Sequence, residues 1–212
     1  ETFTFLEDIL TEVMELFPSP YIHIGGDEAD KTEWRKCPDC QARIRKEGLK
    51  DEAELQSYFV KRIERFISSK GHQLIGWDEI LEGGLAPGAA VMSWRGFDGG
   101  IEAAKAGHDV VMTPVSHTYF NLYQADPATE PLAYRGIINL EKVYLFEPVP
   151  DGLTEDEAKH IKGAQGCLWT EYVTDGKTAE YMVLPRLTAL SEVLWAAPEN
   201  RSWEDFNIRL PE

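Results

Sequence analysis

Apolar and polar positions alternate with two different periods along this chain. Short apolar runs at residues 21–25, 73–77, 89–94, 109–114 and 164–169 read as buried strands. Between them, apolar residues recur at helical spacing, which is the βαβ alternation of a parallel sheet. Leu6, Ile9, Leu10, Val13 and Phe17 line one face of a first helix, which Thr4 and Glu7 open as a capping box. Asp51, with Glu54 at the third helical position, caps a clearer helix. Its apolar stripe is Leu55, Phe59, Ile63, Phe66 and Ile67, and Gly71 stops it.

Further helices start near Asp98, ending before Gly107, and at Thr154, where Glu157 completes a second box. A long helix over residues 178–197 carries Leu184, Leu187, Leu190 and Leu194, with a kink at Pro185 and a stop at Pro198; Ser202 caps a short terminal helix. Residues 116–150 are too many for a plain loop and are rich in Tyr, Pro and acids, so they read as a functional lid or insertion. They follow the C-terminal end of a strand, where barrels and open α/β sheets bind ligands. With no repeat and no Gly/Ser/Pro-rich linker, residues 1–212 read as one domain.

Composition narrows the classes. The 212 residues are 43% hydrophobic and 11% aromatic, enough for a core, so disorder is excluded. Lys and Arg number 21 against 37 Asp and Glu, a formal charge of −16 that argues against nucleic acid and anionic membranes as partners. No run reaches the roughly 18 apolar residues of a membrane helix, so membrane insertion is not expected. Glu1 is not an initiator methionine and a helix begins almost at once, which reads as a piece of a longer protein.

The strongest chemical signal is His23-Ile24-Gly25-Gly26-Asp27-Glu28, a strand running through glycines into adjacent carboxylates. The glycines allow a sharp turn that sets both acids at the mouth of the sheet. Neighbouring carboxylates repel, so one acid of such a pair can keep its proton at neutral pH, as protonation of a leaving glycosidic oxygen requires. Taken alone, an Asp-Glu pair after a strand simply opens the next helix. Context favours chemistry, because other strand ends deliver Trp77-Asp78-Glu79, Trp94-Arg95 and Trp169-Thr170-Glu171. Flat aromatic faces beside charged groups suit a sugar. Tyr119 and Asn121 add a phenol and an amide beyond the fourth strand, whereas Trp34, Trp195 and Trp203 lie in helical patterns and read as core.

The runs H-I-G-G-D-E at 23–28, G-W-D-E-I at 76–80, S-W-R-G at 93–96, H-T-Y-F-N-L-Y at 117–123 and G-C-L-W-T-E at 166–171 resemble, in order, the β-N-acetylhexosaminidases of glycoside hydrolase family 20. The resemblance implies an α/β fold of the (β/α)8 TIM-barrel type, here incomplete, with strands 4 to 8 and their helices. It implies exo-acting removal of terminal β-linked GlcNAc or GalNAc with retention. In that scheme the substrate's 2-acetamido oxygen attacks the anomeric carbon and gives an oxazolinium intermediate, an exception to the usual two-carboxylate mechanism.

Carried over, Glu28 is the general acid and then base, and Asp27 orients the acetamido group and stabilises its developing charge. Tyr119 bonds the acetamido oxygen, Trp77, Trp94 and Trp169 enclose the sugar, Glu171 binds the hydroxyls at carbons 4 and 6, and His23 lies in the substrate-binding strand. Asn121 stands where Asp is common, which opens the 6-position to an anionic substituent such as a sulfate. The first three barrel strands and their substrate-binding arginine are missing from these residues. The expectations are an amino-sugar glycan or glycoconjugate as partner, self-association or the missing N-terminal part to close the barrel, and no cofactor. A secreted, periplasmic or lysosome-like compartment is implied, with no targeting signal visible.

The Cys37-Pro38-Asp39-Cys40 run reads as a local disulfide or free thiols on a helix-connecting loop rather than a metal site, since a lone C-x-x-C lacks a second ligand pair. Cys167 reads as buried, and His72, His108 and His160 as solvated or helix-end groups. A non-catalytic sugar-binding remnant and a C-x-x-C metal or redox protein are the competing readings.

Overall fold

Asp51 begins the best-formed helix as the sequence requires: its carboxylate accepts the Glu54 N–H at 3.0 Å. A computed structural model describes residues 1–210. The chain forms two compact units, Glu1–Met92 with Gly99–Val110, and Ser93–Asp98 with Val111–Glu212.

The first unit comprises α1 (Thr2–Leu16), β1 (Tyr21–His23), α2 (Thr32–Lys36), α3 (Pro38–Glu47), α4 (Glu52–Ser69), β2 (Gln73–Trp77), β3 (Ala90–Ser93, its last residue in the second unit) and α5 (Asp98–Lys105). β1 pairs parallel with β2 through Tyr21↔Gln73, Ile22↔Leu74 and His23↔Ile75, and β2 with β3 through Ile75↔Ala90, Gly76↔Val91 and Trp77↔Met92. β2 is almost wholly buried, which is why its sequence is a continuous apolar run. α4 covers it with Val60, Ile63 and Ile67, each burial contributing about 1.5–3 kcal/mol.

The second unit comprises β4 (Val110–Met112, its first residue in the first unit), α6 (Val115–Thr118), β5 (Leu122–Tyr123), β6 (Tyr134–Ile137), α7 (Leu140–Tyr144), α8 (Glu155–Ala158), β7 (Ile161–Ala164), α9 (Gly176–Val183), α10 (Arg186–Trp195) and α11 (Trp203–Arg209). β4 and β7 are neighbours in the strand order, while β5 and β6 form a small parallel pair. Tyr144 joins the helices: its ring lies 4.6 Å from Phe206 and its hydroxyl donates to Glu192 at 2.8 Å. No helix among the described residues is long and apolar enough to cross a membrane.

Several expectations are corrected. The first helix starts at Thr2, not at a Thr4 cap, and Glu1 makes no side-chain cap. It buries Met14, while Ile9 and Phe17 are exposed. The expected fifth strand at 164–169 is displaced: β7 ends at Ala164, and an exposed Lys162 followed by a half-buried Gly163 hides it from an apolar-run criterion. The long helix over 178–197 is two helices. Leu184, preceding Pro185, is extended (φ −93°, ψ 144°), as the residue before proline prefers. α10 buries Arg186, Ala189, Leu190 and Val193, so Trp195 falls on the opposite side and is 90% exposed, not core. Residues 116–150 are no simple lid, because Tyr119, Phe120, Leu122, Ile138, Val143, Tyr144 and Phe146 are buried.

Candidate active site

In the first unit, ladder bonding continues past the end of β1. Ile24 N–H donates to Ile75 O at 3.0 Å, and Trp77 N–H donates to Gly25 O at 2.9 Å. The chain then turns at Gly26 (φ 100°), where a Cβ would stand 2.7 Å from Ile80 Cγ2, so both backbone and space demand glycine. Gln56, buried on α4, donates from Nε2 to Gly26 O at 3.4 Å and to Glu79 O at 3.2 Å. That tether fixes the peptide just before Asp27.

Asp27 and Glu28 are exposed beyond it, and Glu28 holds a left-handed backbone (φ 47°), uncommon for a residue with a Cβ. Farther on, Lys31 pairs with Glu82 at 2.9 Å and Asp30 accepts the Thr32 N–H at 2.9 Å. The acids therefore sit on a loop held at both ends. They do not open a helix: α2 starts at Thr32, and its first-turn acid is Glu33.

His23 accepts the Gly25 N–H on Nδ1 at 3.0 Å and lies edge-on to the Trp77 indole at 4.9 Å. Partial loss of water around the imidazole, on a residue that is still exposed, pulls its pKa below the ordinary 6.5, against a smaller upward pull from Asp27. The neutral ring is the form that accepts from Gly25. His117, against Phe146 at 5.3 Å, is lowered too, by burial and by Lys142. Because both folded pKa values are depressed, their contribution to stability is present above pH 6.5 and is lost as pH falls through the folded values. Urea midpoints should fall between pH 7.5 and 5.5, and His23→Gln should flatten part of that slope. An unchanged slope in the variant would remove His23 from this account.

In the second unit, a bridge between Tyr119 and Cys167 organises the aromatic groups. Phe120 N–H donates to Cys167 O at 2.7 Å, and Cys167 N–H donates to Thr118 O at 2.8 Å. The Tyr119 ring is stacked 6.2 Å from Trp94 and tilted 6.4 Å from Trp169. Trp169 is 42% exposed, so an apolar face remains open to a ligand. Glu171 is exposed nearby in sequence, whereas Asn121 is buried with an Oδ1 that has no hydrogen-bond partner. Trp77, in the first unit, is buried.

Sequence reasoning missed Gln56 and Arg186. Arg186 is fully buried and donates to the carbonyls of Leu122, Ile138 and Phe120, at 3.0, 3.0 and 2.6 Å, and to that of Met182. It thereby holds the backbone of Phe120 and Leu122, the residues on either side of Asn121. Each is a polar residue on a helix face that packs inward, and its partners are backbone carbonyls that the sequence pattern does not show.

The first unit thus presents an exposed carboxylate pair off a strand end, and the second an aromatic group of which Trp169 is exposed. The catalytic-domain model of glycosyl hydrolase family 20 matches residues 1–198, and the chain belongs to that family. A β-hexosaminidase of Porphyromonas gingivalis is 50% identical over 209 residues, covering 98% of this chain and 27% of that protein. A β-hexosaminidase of Vibrio furnissii is 36% identical, covering 90% and 32%. Among solved structures, the family 20 exo-β-N-acetylglucosaminidase of Vibrio harveyi, in complex with N-acetylglucosamine, superposes with a TM-score of 0.88 at 33% identity, covering 97% of this chain and 33% of that one. The β-N-acetylhexosaminidase of Bacteroides fragilis gives 0.84 at 29% identity. The chain thus spans about a third of the relatives it matches, and its α/β fold is an incomplete share of their (β/α)8 barrel.

Proposed function

We propose that this chain supplies the acid/base carboxylates of an exo-acting β-N-acetylhexosaminidase that removes terminal β-linked GlcNAc or GalNAc from amino-sugar glycans. The observation that carries the reading is the Asp27-Glu28 pair, exposed on a loop tethered at both ends, with Glu28 held in a sparsely populated backbone conformation. Backbone strain at an exposed acid is the kind of cost a catalytic position bears.

In the proposed sequence, the substrate's acetamido carbonyl oxygen attacks the anomeric carbon while Glu28 gives its proton to the departing glycosidic oxygen. Asp27 holds the acetamido N–H and offsets the positive charge of the oxazolinium ring. Glu28, now a carboxylate, takes a proton from water, whose oxygen attacks the same carbon and reopens the ring. The two inversions give net retention.

Tyr119 donates to the acetamido oxygen, Trp77, Trp94 and Trp169 contact the sugar, His23 supports the binding strand, and Glu171 bonds the hydroxyls at carbons 4 and 6. Asn121, where Asp is common in the family, offers a neutral amide acceptor to a further hydroxyl. Lacking a negative charge, this amide tolerates an anionic 6-substituent.

Proton NMR of the full-length protein's first turnovers tests the stereochemistry. N-acetylglucosamine should appear first as the β-anomer and mutarotate afterwards. First appearance of the α-anomer would overturn the mechanism, and sugar binding without turnover would identify a sugar-binding protein instead.

A further inference from the structure

The C-x-x-C run does not lie on a loop. Cys37 closes α2 and is the N-cap of α3, with Pro38 at the first helical position and Cys40 one turn in. The Cys37 Sγ accepts the Cys40 N–H at 3.4 Å, so the sulfur occupies the place of a capping oxygen. Both cysteines are free and half-buried, hence reachable by small reagents. Among the described residues no group of three or more His, Cys, Asp or Glu side chains is placed to hold a metal, which leaves the pair without the further ligands a tetrahedral zinc site needs.

We propose that Cys37 and Cys40 form a redox-active dithiol pair in which Cys37 is the attacking thiol toward low-molecular-weight disulfides. Charge asymmetry within the pair fits those roles. The Cys40 N–H and then the Cys40 thiol stabilise the Cys37 thiolate and lower its pKa, against smaller opposing effects of desolvation and of the Asp39 charge. The same thiol-to-thiolate bond, with burial, raises Cys40. The third cysteine is a built-in contrast, since burial pushes the Cys167 thiol up to about 11.

The Cys37 thiolate attacks one sulfur of a disulfide RSSR, forming a Cys37–S–SR bond and releasing RS−, which takes a proton. Cys40 then loses its proton and attacks the Cys37 sulfur, forming the Cys37–Cys40 bond and expelling the second RS−. In sum, the protein dithiol is oxidised by two electrons and RSSR is reduced to two RSH. The product disulfide spans the first turn of α3 and staples the corner between α2 and α3.

Glutathione redox buffers with acid quenching, alkylation and mass spectrometry test this on the folded chain, reading the tryptic peptide 37–43. That peptide should pass, in one two-electron transition, from doubly alkylated to internally disulfide-bonded. Cys40→Ser should accumulate a glutathione adduct on Cys37. Cys37→Ser, which keeps an N-cap oxygen, should form an adduct on Cys40 at least about tenfold more slowly. Double alkylation persisting in every buffer, or equal adduct rates in the two variants, would overturn the proposal.

Discussion

Glu28→Gln in the full-length protein is expected to lower kcat/KM toward an N-acetyl-β-glucosaminide with a sugar leaving group by about a hundred- to ten-thousandfold. The amide keeps the size and backbone of the acid but has no proton to give. Because Glu28 is exposed and its left-handed conformation is equally available to Gln, folding should be untouched, and the melting temperature is the control. The loss should shrink for a nitrophenyl leaving group, which departs without protonation. A loss under tenfold with the sugar leaving group would remove Glu28 from the role of acid.

Arg186→Met is expected to be the most destabilising change in the second unit, at about 3–5 kcal/mol. The guanidinium is fully buried, and burial lowers its pKa to about 10, so it remains charged at neutral pH. Its partners are backbone carbonyls of Phe120, Leu122, Ile138 and Met182, which would be left in a dry core with nothing to replace the donors. Methionine fills similar volume, so the loss reads hydrogen bonding rather than a cavity. At roughly 2–4 °C per kcal/mol for a domain of this size, the melting temperature should fall by about 10 °C. Arg186→Lys, keeping the charge but not the planar fork, should fall between the two. A Met variant within about 1 kcal/mol of the parent would show that the clamp is dispensable.

What was legible in the sequence depended on burial being uniform along an element. β2 was read at its true limits because it is covered on both sides and its apolar run has no gaps. The caps at Asp51, Thr154 and Ser202 were legible because they are local chemistry, and each accepts the expected N–H. β7 was misplaced because its lysine and glycine break the apolar run, and the break at Pro185 was read as a kink because helical spacing continues across it in the sequence.

Of the candidate site, the acids and the tryptophans were visible as residue types at strand ends. The supports were not. Gln56 and Arg186 act through side-chain bonds to backbone carbonyls far away in sequence, which no spacing rule encodes. The role of Cys37 as a cap was hidden for a related reason, since serine, threonine, aspartate and asparagine are the residues a helix start is searched for.

In the proposed reaction the substrate's own 2-acetamido group is the nucleophile, with Asp27 and Glu28 serving it. Parallel kinetics of the full-length protein on a nitrophenyl N-acetyl-β-glucosaminide and on the matching β-glucoside, which carries a hydroxyl at carbon 2, test this most directly. The account predicts that kcat/KM for the glucoside is lower by about a thousandfold or more, because the intramolecular attack is lost. Comparable turnover of the two glycosides would contradict it.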